Sequence, residues 1–165
     1  GAYLKNIDKA GEKRKRFNTI FFGNPGTGKT HLAMSMLKGV NDYAKPPKKC
    51  LFINVNTLMD RIFSSFSDPT EMWTKEHSIE LIGDADLVVL DDLGTESSMT
   101  DKGQASEFVQ KLLYRISNRP MELIITTNLS QQQFKRTYNP KIISRLFANT
   151  RNSIIDFSGI KDKRY

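Results

Sequence analysis

Apolar residues follow two alternating patterns along the chain. Short runs that are apolar at nearly every position have the length and composition of buried strands, and they lie at 17–23, 50–55, 86–94, 121–128 and 152–158. Segments whose apolar residues recur every three or four positions have helical spacing, and they lie at 30–40, 57–66, 104–117, 130–137 and 139–149, with a further helix starting near Pro69. Strands that are apolar on both faces and alternate with helices predict a parallel sheet between two helical layers, a three-layer α/β domain.

A glycine-rich segment joins the first predicted strand to the first predicted helix. "GNPGTGKT" (23–30) fits the pattern G-x-x-x-x-G-K-[ST], whose glycines let backbone N–H groups turn inward around phosphate oxygens. The helix that follows adds its unpaired N-terminal amides and its dipole. Lys29 is the candidate to bridge the β- and γ-phosphates, and the Thr30 hydroxyl is a candidate Mg²⁺ ligand. The predicted phosphate cradle consists of Gly23, Asn24, Pro25, Gly26, Thr27, Gly28, Lys29, Thr30 and His31.

Polar side chains end two of the predicted strands. Asp91 and Asp92 close the run "LVVL", and Asn128 closes "LIITT". Ligands of open α/β sheets bind outside the carboxyl ends of the strands, so these three side chains are expected beside the phosphates. Asp91 is the candidate Mg²⁺ ligand, Asp92 the residue that polarises the attacking water, and Asn128 the residue that positions this water. The alternatives are a solvated pair of loop aspartates and a helix-capping asparagine.

Arg145 lies in "KIISRLF", on a predicted helix whose apolar face uses Ile142, Ile143 and Leu146. A guanidinium beside such a face can project outward as an arginine finger, which neutralises transition-state charge on the nucleotide of a neighbouring subunit. An ordinary solvated helix arginine has the same spacing, so the pattern leaves both interpretations open.

Charge and composition indicate the kind of partner and the cellular location of the protein. The chain has 165 residues and a formal net charge of +7, with basic stretches at 5–16 and 135–164 around an acidic centre. This balance favours a polyanionic partner. Cys50 is the only cysteine, which indicates a reducing, cytoplasmic location. No apolar stretch approaches the roughly 20 residues that span a membrane, so no membrane association is expected.

Taken in order, "GNPGTGKTH", "LVVLDDLG", "IITTN" and "ISRLF" resemble the motifs of AAA+ ATPases. Within them the chain is most similar to the bacterial and phage replicative-helicase loaders of the DnaC/DnaI group and to the related IstB transposition helpers. The resemblance implies a five-stranded parallel sheet in the order 5-1-4-3-2, followed by a helical lid that is absent or truncated here. It also implies Walker A roles for Lys29 and Thr30, Walker B roles for Asp91 and Asp92, sensor 1 for Asn128, an arginine finger acting in trans for Arg145 and a sensor 2-like arginine for Arg164.

The same resemblance implies an ATPase that binds ATP or ADP together with Mg²⁺. Most AAA+ proteins carry glutamate where this chain has the shorter Asp92, so slow hydrolysis by the isolated protein is expected. The implied partners are a hexameric replicative DNA helicase, other copies of this chain and single-stranded DNA. The DNA is expected to contact the segment 57–82 through Arg61, Phe63, Phe66, Trp73 and Lys75, unless these aromatic residues form the core of two helices.

Three other functions are compatible with the same motifs. An IstB-like helper would grip duplex DNA and recruit a transposase, whereas a weakly hydrolysing ATP sensor would switch its DNA binding with the nucleotide state. A small-molecule phosphotransferase would need an arginine-bearing lid over its acceptor. In each case we expect residues 1–15 to be a basic N-terminal segment, either a linker or a remnant of cloning, and residues 16–165 to form the ATPase domain.

Overall fold

Strands and helices alternate in a computed structural model that describes residues 17–95, 104–148, 150 and 153–163. The strands are β1 (Thr19–Phe22), β2 (Cys50–Asn54), β3 (Leu87–Asp91), β4 (Glu122–Thr126) and β5 (Ile154–Asp156). The helices are α1 (Lys29–Tyr43), α2 (Val55–Ser64), α3 (Lys75–Gly83), α4 (Glu107–Ser117), α5 (Gln131–Thr137) and α6 (Pro140–Leu146). None of the helices in these ranges is long and apolar enough to cross a membrane.

The five strands form one parallel sheet in the order β2-β3-β4-β1-β5. This is the predicted order 5-1-4-3-2 counted from the other edge, so the prediction is confirmed. On β1, Phe21 lies opposite Thr126 of β4 on one side and opposite Ile155 of β5 on the other. Because neighbouring strands run parallel, their carboxyl ends meet at one edge of the sheet. The residues that follow β1, β3 and β4 are therefore brought together.

The two faces of the sheet carry separate apolar cores. Ile20 and Phe22 pack into the larger core with residues of α2 to α6, whereas Phe21 packs with α1 on the opposite face. This division follows from the alternation of side chains along a strand. Every residue of β1, β3 and β4 is buried, which explains why these strands are nearly continuous apolar runs. The predicted three-layer architecture is confirmed.

The predicted start of the third helix near Pro69 is wrong, because α3 begins only at Lys75. The Asp68 carboxylate accepts hydrogen bonds from the backbone N–H of Thr70 at 2.9 Å and from its hydroxyl at 2.6 Å, which holds a turn. Thr74 then accepts a hydrogen bond from the N–H of His77 and caps α3. Local side-chain bonds of this kind compete with helix formation.

Side-chain caps and a proline mark the starts of other helices. Asn54 caps α2 by accepting from the N–H of Thr57 at 3.1 Å, so this helix begins before the predicted boundary. Ser130 forms a reciprocal capping box with Gln133 at the start of α5, and Pro140 occupies the first turn of α6. The expectations for these last two helices are confirmed.

Candidate nucleotide-binding site

A cleft of 970 Å³ opens at the carboxyl edge of the sheet. Every residue from Pro25 to Thr30 lines it, and Asp92 and Asn128 reach it from the ends of β3 and β4. The segment after β5 closes another side with Phe157 and two later side chains, Ile160 and Lys163. The loop after β1, the two strand ends and the C-terminal segment thus enclose one space.

Two glycines give the loop after β1 its shape. Gly26 has φ 75° and Gly28 has φ 94°, both in the left-handed region that residues with a Cβ atom avoid. Gly28 is the N-cap of α1, and it has no side chain that could accept a hydrogen bond from the first amides of this helix. Unpaired N–H groups at a helix N-terminus form an anion-binding site. The loop therefore fits a phosphate group.

Lys29 is buried, with 4% of its surface exposed. Its Nζ donates hydrogen bonds to the carbonyl oxygens of Gly23 at 2.8 Å and Asn24 at 2.7 Å, and to Oδ1 of Asn128 at 2.9 Å. These three acceptors are neutral oxygens. An ammonium group held in this way at the floor of an anion-binding loop is ready to contact phosphate oxygens.

Asp91 shares one of its carboxylate oxygens with two threonines. Thr30 Oγ1 donates to Asp91 Oδ1 at 2.8 Å, and Thr126 Oγ1 donates to the same atom at 2.7 Å. Asp91 is buried, with 4% of its surface exposed. Mg²⁺ takes oxygen ligands, typically one or two carboxylates together with substrate phosphates. The adjacent hydroxyl of Thr30 and carboxylate of Asp91 are donors of this type, so the residues present fit the metal.

Asp92 lines the cleft in an unusual backbone conformation. Its φ of 57° lies in the left-handed region, which aspartate and asparagine tolerate better than most residues. Its carboxylate accepts long hydrogen bonds, both at 3.4 Å, from the side-chain amides of Asn54 and Asn128. Burial, and secondarily the charge of Asp91, raise the pKa of the Asp92 carboxyl above its usual value. A carboxylate with a raised pKa facing a cleft is suited to accept a proton.

We expect Asp92→Asn to raise the melting temperature of the nucleotide-free protein at neutral pH. Asparagine keeps the size and the backbone preference of aspartate, and it removes a charge that burial and Asp91 disfavour. Because the pKa is raised in the folded state, the charged carboxylate costs stability above that pKa. The gain should therefore disappear as the pH falls below the pKa values of both folded and unfolded forms, where Asp92 is protonated in each.

Thermal unfolding scans of Asp92→Asn and the wild type, from neutral pH down to acidic pH, would measure the difference in melting temperature. Asp60→Asn is the matched control, because Asp60 is exposed on α2 and remote in sequence from the cleft residues. A melting temperature that is unchanged or lowered in Asp92→Asn at neutral pH would contradict the electrostatic account of this residue.

The structure brings five predicted site residues into one network of hydrogen bonds. Asn128 links the Lys29 ammonium to the Asp92 carboxylate, and Asp91 accepts from Thr30. Thr126 connects the two sets, because its hydroxyl donates to Asp91 and accepts from the N–H of Asp92.

Of the other cradle residues, Pro25, Gly26, Thr27 and Gly28 line the cleft, and His31 is exposed at its rim. Gly23 and Asn24 accept hydrogen bonds from Lys29 through their carbonyl oxygens.

The two predicted arginines are placed differently. Arg145 is not among the side chains that line the cleft, and its guanidinium packs against α4. Arg164 lies outside the described residues.

Two polar residues at the same sheet edge were not assigned from the sequence. Thr126 donates to Asp91 and accepts from the N–H of Asp92 at 2.9 Å, so its hydroxyl orients both acidic residues. Asn54 ends β2 and donates to Asp92 while capping α2. The rule that selected Asn128, a polar side chain at the carboxyl end of a strand, would have found both.

Three residues of the C-terminal segment, Phe157, Ile160 and Lys163, were not assigned to the site from the sequence, although the resemblance had placed Arg164 of this segment there. The backbone N–H of Lys163 donates to the carbonyl oxygen of Gly26 at 3.0 Å, and the N–H of Phe157 donates to that of Phe22 at 2.7 Å. These bonds join the segment after β5 to β1 and the phosphate loop. The order of residue types in this segment does not predict these hydrogen bonds.

Comparisons with known proteins agree with this geometry. The replicative helicase loader DnaC of Buchnera aphidicola subsp. Schizaphis graminum is 26% identical over 127 residues, which are 77% of this chain and 49% of that protein. A crystal structure of the DnaC helicase loader superposes with a TM-score of 0.68 at 21% identity, over 93% of this chain and 86% of that one. A structure of the replication initiator DnaA, bound to AMPPCP and single-stranded DNA, superposes with a TM-score of 0.67 at 16% identity, over 94% of this chain and 43% of that one.

These structural neighbours have the AAA+ P-loop fold, in agreement with the sheet order found here. A family model also matches most of the chain. The model of the IstB-like ATP binding proteins matches residues 6–147, which include the phosphate loop, both acidic residues and Arg145. The chain therefore belongs to the family of IstB-like ATP-binding proteins.

Proposed function

We propose that this chain is the ATP-hydrolysing module of a replicative DNA helicase loader, and that its ATP state controls self-assembly, helicase loading and single-stranded DNA binding. One observation carries the ATPase part: Asn128 accepts a hydrogen bond from Lys29 and donates one to Asp92, so it connects the residue proposed to contact the phosphates with the residue proposed to accept the proton of water. The loader part is supported by the similarity to DnaC, although the chain spans about half the length of that relative.

In this proposal each cleft residue has a separate role in the hydrolysis of ATP. Lys29 balances negative charge on the β- and γ-phosphates, and the loop amides hold these phosphates in place. Asp92 orients a water molecule and takes its proton as the water oxygen bonds to the γ-phosphorus and the bond to the β-γ bridging oxygen breaks, which releases ADP and phosphate. Bound to Thr30 and Asp91, Mg²⁺ would supply charge neutralisation at the phosphates. Asp92→Asn should retain ATP binding and lower hydrolysis by about 100-fold or more, since it removes the proton acceptor.

Self-association through Arg145 is part of the proposal. Because this side chain is not among those lining the cleft of its own subunit, its role in hydrolysis would be exerted on ATP held by a second copy. ATP would then favour assembly by providing an anion at the contact between subunits. We place this function in the cytoplasm, the setting that the single cysteine indicates.

Among the five residues expected to contact DNA, exposure favours two. Phe66 is 66% exposed, and Arg61 is exposed while paired with Glu71 at 3.2 Å. Phe63 and Trp73 are partly buried against the main core, as the alternative interpretation of these aromatics expected. Lys75 lies 5.1 Å from the ring centroid of Phe108. We propose that Phe66 stacks on a base and that Arg61 contacts a phosphate.

Phe66→Ala should weaken single-stranded DNA binding by about tenfold, since stacking on one aromatic is worth about 1–3 kcal/mol per base. Fluorescence anisotropy with a labelled oligonucleotide in ATP at constant salt would measure the affinity. Tyr43→Ala is the matched control, because Tyr43 is an aromatic of similar exposure, 73%, at the end of α1. An affinity unchanged by Phe66→Ala, or lowered equally by both substitutions, would exclude this contact.

The loader function is tested by helicase loading onto closed circular single-stranded DNA. The full-length protein containing this module, with ATP and the replicative helicase of the same cell, should leave helicase on circles that the helicase alone does not enter. Lys29→Ala should abolish loading, and Lys38→Ala, an exposed lysine on the same helix, should not. Failure of the wild type to bind or load the helicase would refute the loader assignment while leaving the ATPase assignment intact.

A transposition helper is the second candidate, because the matching family is that of the IstB-like ATP binding proteins. It predicts ATP-dependent binding to duplex DNA and capture of a transposase. Two experiments separate the helper from the loader. The first compares binding to duplex and single-stranded DNA of equal length, and the second compares capture of this protein by the helicase with its capture by a transposase. Preference for duplex DNA together with transposase capture would replace the loader proposal.

A further inference from the structure

Three groups of the same subunit hold the Arg145 guanidinium in place. Its Nε donates to Oδ1 of Asn118, the residue that follows α4, and its terminal nitrogens donate to the carbonyl oxygen of Lys141 at 3.1 Å and to the hydroxyl of Tyr114 at 3.3 Å. The guanidinium carbon also lies 4.5 Å from the centroid of the Tyr114 ring. Arginine stacks on aromatic faces in this way, and the stacking fixes the plane of the group.

The three groups that accept hydrogen bonds from Arg145 in the described residues are uncharged. Within the part of the chain that the structure describes, no carboxylate lies within 4.0 Å of this guanidinium. A guanidinium has five N–H bonds, of which three are used here, so one remains on each terminal nitrogen. A half-buried cation that is fixed by neutral groups keeps both its charge and a pair of donors for an anion.

The backbone that carries Arg145 is anchored as well. The buried Asn18 donates from its side-chain amide to the carbonyl oxygens of Arg145 and Leu146, both at 3.1 Å. Its Oδ1 accepts from the N–H of Leu123 in β4 at 3.2 Å. The end of α6 is therefore tied to the sheet, and the guanidinium is tied to α4. A group held at both ends loses little further freedom when it meets its ligand.

We propose that Tyr114 and Asn118 are positioning residues, which hold the Arg145 guanidinium ready for the ATP phosphates of a second copy of this chain. This inference rests on the proposed function, and it adds the residues on which the trans contact depends. An arginine misplaced by about 1 Å loses a large part of its effect on the transition state. Removing the stacking ring or the Asn118 amide should therefore lower hydrolysis while Arg145 itself is still present.

Mixed assemblies of two inactive variants of the full-length protein test the inference. Lys29→Ala subunits keep Arg145 but are expected to bind ATP at least about 100-fold more weakly, and Arg145→Ala subunits are expected to bind ATP but lack the guanidinium. Each variant alone should be inactive, and the mixture should regain hydrolysis where the first type of subunit lies beside the second. ATP, Mg²⁺ and a fixed single-stranded oligonucleotide are present throughout, and melting temperatures are measured for every variant.

Tyr114→Leu and Asn118→Ala are then placed in one type of subunit at a time. In the subunit that supplies Arg145, each should lower the rate of the mixture by about 10- to 100-fold. In the subunit that lacks Arg145, the same substitutions should leave the rate of the mixture as it was. Tyr114→Phe, which keeps the ring, should restore most of the rate. Asn118 has a helical backbone with φ −83°, so alanine fits there without strain. Tyr43→Leu is the control for loss of a tyrosine.

The outcomes separate the inference from the function on which it rests. If the mixture regains hydrolysis and neither substitution affects it in either subunit, the positioning role is wrong and the trans role of Arg145 stands. Equal losses from both placements would indicate a folding defect and would also refute the positioning role. If the mixture stays inactive, the trans role fails and the inference fails with it. Weaker binding of single-stranded DNA without any change in the mixed rate would assign the guanidinium to a DNA phosphate and overturn the inference.

Discussion

Replacing Lys29 with alanine is expected to lower ATP affinity by at least about 100-fold, because it removes a buried, charged donor from the floor of the phosphate loop. The ammonium is held by Gly23, Asn24 and Asn128, so it meets the phosphates without first being ordered. Equilibrium titration with a fluorescent ATP analogue in the presence of Mg²⁺ measures the loss.

The control for this prediction is Lys38→Ala on the same helix, where the side chain is exposed. Lys29→Ala also removes one donor from each of the three oxygens, of which that of Asn24 keeps a hydrogen bond from the Thr27 hydroxyl at 2.9 Å, so a moderate drop in melting temperature is expected and is measured alongside. Circular dichroism at the titration temperature shows whether the variant is folded. A folded Lys29→Ala protein that binds ATP as tightly as the wild type would refute the assignment of the loop.

Replacing Arg145 with alanine is expected to reduce ATP hydrolysis in the assembled protein by about 1,000-fold, the lower end of what an arginine finger contributes. ATP affinity measured on dilute protein should be unchanged, because Arg145 does not line the cleft of its own subunit. The wild-type rate per subunit should rise with protein concentration, and the rate of the variant should not. Steady-state phosphate release over a range of protein concentrations measures both.

Arg136→Ala is the matched control, since Arg136 is an exposed arginine on the preceding helix, α5. Loss of the stacking contact with Tyr114 should cost the Arg145→Ala variant about 1 kcal/mol of folding free energy, and the assays are therefore run well below its melting temperature. Unchanged hydrolysis and assembly would show that Arg145 is an ordinary helix arginine.

Much of the fold and the centre of the site could be predicted from the sequence because both depend on local patterns. The apolar runs that define β1, β3 and β4 are buried on both faces, so their composition alone distinguishes them from surface strands. Parallel strands end at a common edge, so Asp91, Asp92 and Asn128 could be placed near the phosphate loop from their positions at strand ends. The order of the strands came from the resemblance to AAA+ ATPases, and the structure confirms it.

Contacts between distant residues could not be predicted in the same way. Tyr114 and Asn118 meet Arg145 because α4 and α6 pack together, and nothing in the spacing of either helix specifies this pairing. The start of α3 was missed because Asp68 binds Thr70 and holds a turn, which outweighs the favourable position of Pro69 at a helix start. Each of these features depends on side-chain geometry that the order of residue types does not determine.

The central claim is that the cleft binds ATP with Mg²⁺ between the loop after β1 and Asp91. A crystal structure of the protein with a non-hydrolysable ATP analogue and Mg²⁺ tests it most directly. The account predicts phosphate density along the loop at 23–30, the Lys29 ammonium on phosphate oxygens, and the metal ion beside Thr30 and Asp91. A cleft that stays empty at saturating analogue, or a bound analogue whose metal ion is remote from Asp91, would contradict it.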